Sequence, residues 1–356
     1  MRKVRRTAAV LLITAVSMSL AACSSGAATA TPSASTSPAS TLTLGYFDNV
    51  THAPALIGVH DGLLQKALGK TTLKTTTFSA GPAAVEALSA GAIDATYIGP
   101  SPAINSFLKS AGRSLTIVSG VASGGAALVV KPSITSAHDL KGTTIATPQL
   151  GNTQDVALRY WLKKQGLTTS VNGGGDVTVT PTDNAQALTL FQAGSIQGAW
   201  VPEPWVSRFV INGGAKVLVD EATQWPDGRF PTTVLAVSTT FLAAHPETVE
   251  ALIRGNLAAI QALSNRSEAI TAINAQLKAD TGKTLADNVL DRALDHVTFT
   301  ADPDASTFPT LLSHASAVGL GTKGSIKGII NLTQLNAILT SEGKKPLSSA
   351  QLGAGS

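Results

Sequence analysis

The chain has 356 residues, 44% of them hydrophobic, 13% charged and 4% aromatic, with 32 glycines and 17 prolines. It is too apolar and too weakly charged for a disordered polymer, it lacks the period of a fibrous protein, and its length suits about two domains. The formal charge of +4 traces to Arg2, Lys3, Arg5 and Arg6, in a head with no acid before residue 23; without those four the bases and acids are equal in number. The phosphate-binding footprint of a nucleic-acid protein is therefore absent, and no nucleic-acid partner is expected.

The head has the form of an export signal: a basic start, Met1 to Arg6, then a mostly apolar stretch, Ala8 to Ala22, too short for the roughly 20 residues of a membrane-spanning helix. It ends Leu20-Ala21-Ala22-Cys23, which resembles the lipobox of bacterial lipoproteins. That resemblance implies cleavage after residue 22 and a lipid on Cys23, anchoring the protein outside the cytoplasm. Cys23 is the only cysteine, so no internal disulfide can form. Residues 23–40 are rich in Ser, Thr, Ala and Pro and are expected to act as a flexible tether.

From Thr41 short apolar runs alternate with helical segments, the pattern of α/β units around a largely parallel sheet. The expected strands are Leu42–Tyr46, Leu73–Phe78, Ala95–Ile98, Leu115–Val118, Ala127–Lys131, Thr144–Thr147, Val177–Thr180, Gly198–Val201, Lys216–Val219 and Thr233–Val237. Ser101-Pro102 is expected to cap a helix that ends near Gly112, and Asp183 with Gln186 spaces as a capping box closed by Gly194. Beyond about residue 239 only helices are expected, among them His245–Asn265 and Leu285–His296.

An internal echo organises this pattern. Ala90-Gly91-Ala92-Ile93-Asp94-Ala95-Thr96-Tyr97-Ile98 recurs 103 residues later as Ala193-Gly194-Ser195-Ile196-Gln197-Gly198-Ala199-Trp200-Val201, and each copy runs into a proline-rich turn. Two similar lobes facing one another would bring such turns together at the carboxyl ends of their strands, where open α/β sheets bind ligands. Four turns have the composition for it: Asp48 to His52, Ser79 to Pro82, Gly99 to Pro102 and Pro148 to Asp155. Each joins a strand to a helix through small polar residues, leaving unpaired N–H groups at the positive end of a helix dipole, a cradle for a compact anion. Arginine is scarce at these turns; Arg113, Arg159 and Arg208 are the nearest in sequence. Tyr97 and Trp200 are placed to flank an apolar portion of the ligand, or to serve the core.

In Phe78–Pro82, Glu86–Asp94, Asp139–Gly142, Ile145–Pro148, Gly151–Asp155 and Trp200–Trp205 the chain resembles the solute-binding proteins of ABC importers for aliphatic sulfonates, taurine and nitrate. The likeness runs from about residue 42 to about 260 and weakens in the C-terminal helices. It implies a two-lobed periplasmic-binding-protein fold of type II, with two α/β lobes joined by two crossing hinge strands. Lobe I is expected at residues 41–126 plus 237–356 and lobe II at 127–236, after a signal at 1–22 and a linker at 23–40. The family's ligand loops fall on Asn49, Thr51 and His52; Ser79, Ala80 and Gly81; Gly99, Pro100 and Ser101; Asn152, Thr153 and Gln154; and Trp200 and Glu203. The implied ligand is a small organic sulfonate or related anion, delivered to an ABC permease and its ATPase by a monomeric, membrane-tethered protein without cofactor or metal. Nitrate, bicarbonate, an aromatic acid or a thiamine precursor are alternatives within the same fold, as is a sensor without a transporter. Relatives that bind a thiamine precursor through a cysteine-rich segment match poorly, since no Cys lies beyond residue 23. Glu203 suits the ammonium of taurine better than a plain sulfonate.

No catalytic set competes. The six histidines, His52, His60, His138, His245, His296 and His314, form no i,i+4 pair and no H-E-x-x-H, and the chain has neither a G-x-S-x-G elbow nor a P-loop lysine. The expected protein is a binder, not an enzyme.

Overall fold

A computed structural model describes residues 37–353. The expected signal, the lipid site at Cys23 and most of the tether lie outside the described residues. Among those described, no helix is long and apolar enough to cross a membrane.

Eleven strands form among the described residues: β1 (Thr41–Phe47), β2 (Thr72–Phe78), β3 (Ala95–Ile98), β4 (Leu115–Gly124), β5 (Ala126–Val130), β6 (Thr144–Thr147), β7 (Thr178–Pro181), β8 (Gly198–Pro202), β9 (Lys216–Asp220), β10 (Pro231–Ser238) and β11 (Val297–Phe299). Nine match the expected strands to within two residues at either end, and β4 runs six residues beyond the expected end at Val118. β11 matches none: a strand was not expected after residue 239. It is three residues long, too short to show a two-residue period, and forms by pairing with the edge of β4.

The first sheet has the order β2-β1-β3-β10-β4-β11 and the second β7-β6-β8-β5-β9. The first five positions of each sheet correspond, so β3 and β8, which end the two copies of the sequence echo, occupy the same third place. Neither sheet is largely parallel, contrary to expectation. β1 runs parallel to β2 and β3, and β6 to β7 and β8, whereas β10 is antiparallel to β3 and β4, and β5 to β8 and β9. β5 enters from the first sheet and β10 from the second, so each runs against the strands already there. At the first crossing Gly124 and Gly125 adopt φ of +81° and +74°. A β-carbon on Gly125 would also meet Val297 Cγ2 at 2.4 Å, so this turn requires glycine. The second crossing, between β9 and β10, is not a strand but two short 3-10 turns, Glu221–Gln224 and Pro226–Gly228.

The alternation of β5 shows how the second lobe packs. Leu128 and Val130 join a cluster with Ile145, Trp161 and Trp200 on one face, while Ala127 and Val129 join Phe191, Ala199 and Phe209 on the other. Each fully buried Leu or Val contributes about 1.5–3 kcal/mol. The late helices, including Pro246–Ala262, Phe308–Ala317 and Thr333–Ser341, bury Leu252, Phe308 and Leu335 in the core of the first sheet. The parallel strands of both sheets end in turns at the boundary between the lobes, and those turns make the site.

Candidate functional site

The turn after β6 anchors the second-lobe side of the boundary. Asp155, fully buried, accepts hydrogen bonds from Gly151 N (2.9 Å), Thr147 Oγ1 (2.9 Å) and Arg159 Nε (3.0 Å). A carboxylate bound to a guanidinium and two neutral donors is well satisfied despite its burial, and it holds the turn that precedes it, from Thr147 through Gly151. Asn152 stands at the N-cap of the helix Thr153–Lys164 but makes no capping bond to it. Its Nδ2 donates to Gln154 Oε1 (2.7 Å), and its Oδ1 crosses the boundary to accept from Gly81 N (3.2 Å). Beside it Thr153 Oγ1 accepts from Ser101 N (3.4 Å).

The first-lobe partners are amides at helix starts. Gly81 opens the helix Gly81–Ser89 and Ser101 lies in the first turn of Pro100–Lys109. The cap of the latter differs from expectation. Pro100 takes the first helical position with Gly99 as N-cap, because a proline's fixed φ suits the first turn; Ser101 falls inside, its Oγ buried without a hydrogen-bond partner. In the second lobe Asp183 does cap, accepting from Ala185 N (2.9 Å). The lobes also meet where Trp205 Nε1 donates to Asn49 Oδ1 (2.9 Å) and Thr51 N donates to Glu203 O (3.4 Å).

Between these contacts lies a cavity of about 20 Å³, room for about one water molecule. Asn49, Thr51, His52, Ser79, Gly99, Asn152 and Gln154 line it, joined by Phe47, Pro148, Asn184, Pro202 and Thr232. Gly81, Ser101 and Thr153 are engaged at its edge through the bonds above; Ala80 and Pro100 are buried beside them. His52 stacks on Phe47 with ring centroids 4.3 Å apart and accepts from Phe47 N at Nδ1 (3.3 Å). Burial lowers its pKa to about 3, so the imidazole is neutral at physiological pH and its proton sits on Nε2: a donor, not a counter-charge.

Two expected ligand residues are turned elsewhere. Glu203, 1% exposed, directs its carboxylate toward the helix Asp287–Asp295, accepting from Arg292 Nη1 (3.0 Å) and from Ser207 N (3.0 Å). Burial raises its pKa, opposed by Ser207 and Arg292. Trp200 donates from Nε1 to Glu221 (2.7 Å) and packs into the core cluster. Tyr97 is likewise core, its hydroxyl donating to Asn256 Oδ1 (3.0 Å).

A larger cavity of about 360 Å³ adjoins the small one, sharing Phe47, Asn49, Ser79 and Asn184 and adding Asp48, Trp205 and Arg208. The Arg208 guanidinium lies 4.1 Å from the Trp205 ring centroid, and burial lowers its pKa. Asp48 has its pKa raised to about 7, by burial first and then by neighbouring Asp280. Asp48 Oδ1 and Asn184 Oδ1 are buried without a hydrogen-bond partner. Asn184, Trp205 and Arg208 were not among the expected ligand residues. Asn184 had a readable signal, since it follows the Asp183 cap in a fifth strand-to-helix turn; the approach of Arg208 depends on tertiary packing.

Gly99 gives a direct test of lobe contact. A β-carbon there would lie 2.6 Å from Thr153 Oγ1, across the boundary. Gly99→Ala should displace Thr153 and break its bond to Ser101 N, weakening ligand binding about tenfold, or about 1.4 kcal/mol, with an unchanged circular dichroism spectrum. Wild-type affinity in titration calorimetry would contradict this.

Comparison with known proteins agrees with this architecture. The chain is 29% identical over 213 residues to the taurine-binding periplasmic protein of Escherichia coli, covering 58% of this chain and 62% of that one. It is 31% identical over 203 residues to a putative aliphatic sulfonates-binding protein of the same organism, covering 55% and 58%. The matched parts thus span less than two thirds of either relative. Among solved structures, the alkanesulfonate-binding protein SsuA of Xanthomonas axonopodis pv. citri superposes with TM-score 0.67 at 24% identity, over 81% of this chain and 96% of that one. The nitrate-binding protein NrtA of Synechocystis gives 0.72 at 16% identity, over 85% and 89%. These likenesses establish the two-lobed periplasmic-binding-protein fold. A family model matches residues 35–279, more than half of the sequence, and the chain belongs to the NMT1-like family.

Proposed function

We propose that this protein is an extracytoplasmic solute-binding lipoprotein of an ABC importer, capturing a small organic sulfonate, an alkanesulfonate or taurine, between its lobes. A permease and its ATPase are then its partners, and a lipid on Cys23 its anchor. The observation that carries the reading is the pair of cross-boundary bonds, Gly81 N to Asn152 Oδ1 and Ser101 N to Thr153 Oγ1. Amides at the starts of two helices meet an oxygen acceptor there, and a sulfonate offers three such oxygens on one small head. With a sulfonate in place, Gly81 N and Ser101 N donate to the ligand, while Asn152 Nδ2, the Thr153 hydroxyl and neutral His52 supply further donors. The site needs no formal cation, because backbone N–H groups and helix dipoles supply positive potential. The adjoining cavity of about 360 Å³ falls within the range of small-molecule sites and takes the organic portion. The ligands for which the relatives are named, taurine and aliphatic sulfonates, support the same class.

Closure follows from differential contact: a ligand touching turns of both lobes stabilises the state in which those turns are adjacent. The test is a thermal-shift panel of taurine, alkanesulfonates, nitrate, bicarbonate, sulfate and aromatic acids on the chain lacking its first 23 residues. A ligand at 100 times its Kd adds about 2.7 kcal/mol of stability. Asn152→Ala and Thr153→Ala should each weaken binding about tenfold or more while leaving the fold intact, since each removes a donor worth about 1.5–3 kcal/mol to a charged group. No shift with any sulfonate, or wild-type affinity in both variants, would refute the assignment.

A further inference from the structure

A third cavity, of about 330 Å³, lies beside the second crossing and shares no lining residue with the two already described. Tyr160 and Trp161 of the helix Thr153–Lys164 wall it from the second lobe, His314 of the helix Phe308–Ala317 from the first, and Trp200 and Trp225 complete it. Three of the chain's four tryptophans thus line one chamber. Tyr160 and His314 stack across the lobe boundary with centroids 3.7 Å apart.

The chamber contains one deeply buried carboxylate that lacks a counter-ion. Glu221 is 2% exposed and accepts from Trp200 Nε1, and among the described residues it forms no ion pair. Of the nearby cations, Lys164 lines the chamber but is solvent-exposed and forms no ion pair with Glu221; the others are engaged or neutral. Arg229 pairs with Asp302 and Asp304, and His314 has its pKa lowered to about 4, by burial and then by Lys164. Aromatic rings around an uncompensated carboxylate favour a positive charge that gives up its water cheaply. Inorganic cations and primary ammoniums are strongly hydrated; a quaternary ammonium is not.

We propose that this chamber binds a small quaternary ammonium compound, packed against Trp161 and Trp225 and paired with Glu221. It is separate from the sulfonate site in residues and opposite in ligand charge. Because its walls come from both lobes, an occupant bridges them and favours the closed arrangement, as a ligand in the first site does.

Choline is the probe, and 3,3-dimethylbutan-1-ol, which replaces the charged nitrogen by carbon at the same shape, is the control. At pH 8, where Glu221 is ionised, tryptophan fluorescence and calorimetry on the wild-type chain should show one-to-one choline binding, with the neutral isostere at least about tenfold weaker. Glu221→Gln should weaken choline at least about tenfold, yet leave the response to the best anion of the thermal-shift panel unchanged. The proposal is overturned by absence of choline binding up to about 10 mM, by equal binding of the isostere, or by unaltered choline affinity in folded Glu221→Gln. Should that variant not fold, the isostere comparison on the wild-type chain decides.

Discussion

Arg292→Ala should lower the unfolding free energy by about 3 kcal/mol at pH 8, through a charge that it leaves behind rather than through the one it removes. Glu203 is 1% exposed, and Arg292 is its one ion-pair partner among the described residues. The Arg292 side chain is itself partly exposed, so its removal costs little in packing. What remains is a buried carboxylate held by Ser207 alone, with a pKa already raised by burial and now raised further. Glu203 escapes the penalty by taking a proton, so the cost should shrink as pH falls toward 5. Adding Glu203→Gln should recover most of the loss, because a neutral amide keeps an acceptor for Ser207 N without the charge. Denaturant unfolding of the wild type, the single variant and the double variant at pH 8 and pH 5 measures all of this. A loss under about 1 kcal/mol at both pH values would show that the pair contributes little.

Arg292 and Glu203 belong to opposite lobes, and this explains why Glu203 was misread from sequence. In the sequence it sits beside a ligand turn, and a carboxylate there suits a ligand's ammonium. The helix that carries Arg292 arrives 89 residues later, and no local pattern announces that meeting. Trp200 failed in the same way: its place two residues before the turn was readable, but which side of β8 faces the boundary depends on pairing with β5 and β6.

What was legible had local causes. Strand-to-helix turns declare themselves by composition, and Asn49, Ser79, Gly99 and Asn152 meet at one cavity because parallel strands end where their helices begin. The 103-residue echo was legible too, and its structural counterpart is the equivalent third place of β3 and β8. The antiparallel strands were not legible, since direction in a sheet records where the chain came from, and the crossings set that. Asn152 occupies the N-cap position of its helix, but its side chain serves the opposite lobe. A cap residue that leaves its own helix uncapped is a contact that only the assembled fold reveals.

Glu221→Gln should change the pH dependence of the protein's stability by a large and measurable amount. Burial raises the pKa of Glu221 from 4.5 to about 7, only partly opposed by the Trp200 and Trp225 indoles. Between those two values the folded protein holds a proton that the unfolded chain has released, so the contribution of Glu221 to stability is greatest below pH 4.5 and declines as pH rises to about 7. Above that it is flat, because both states are ionised. The full span is roughly 3 kcal/mol for a shift of this size. Glutamine keeps an acceptor for Trp200 Nε1 and has no proton to lose, so the difference in unfolding free energy, variant minus wild type, should rise by that amount from pH 4.5 to pH 8. His314 titrates in the opposite sense, its pKa lowered to about 4, but it is present in both proteins and largely cancels in the difference. Urea unfolding at pH 5, 6, 7 and 8 supplies the curve. A flat difference would mean that Glu221 is ionised in the native state throughout, with its charge already compensated.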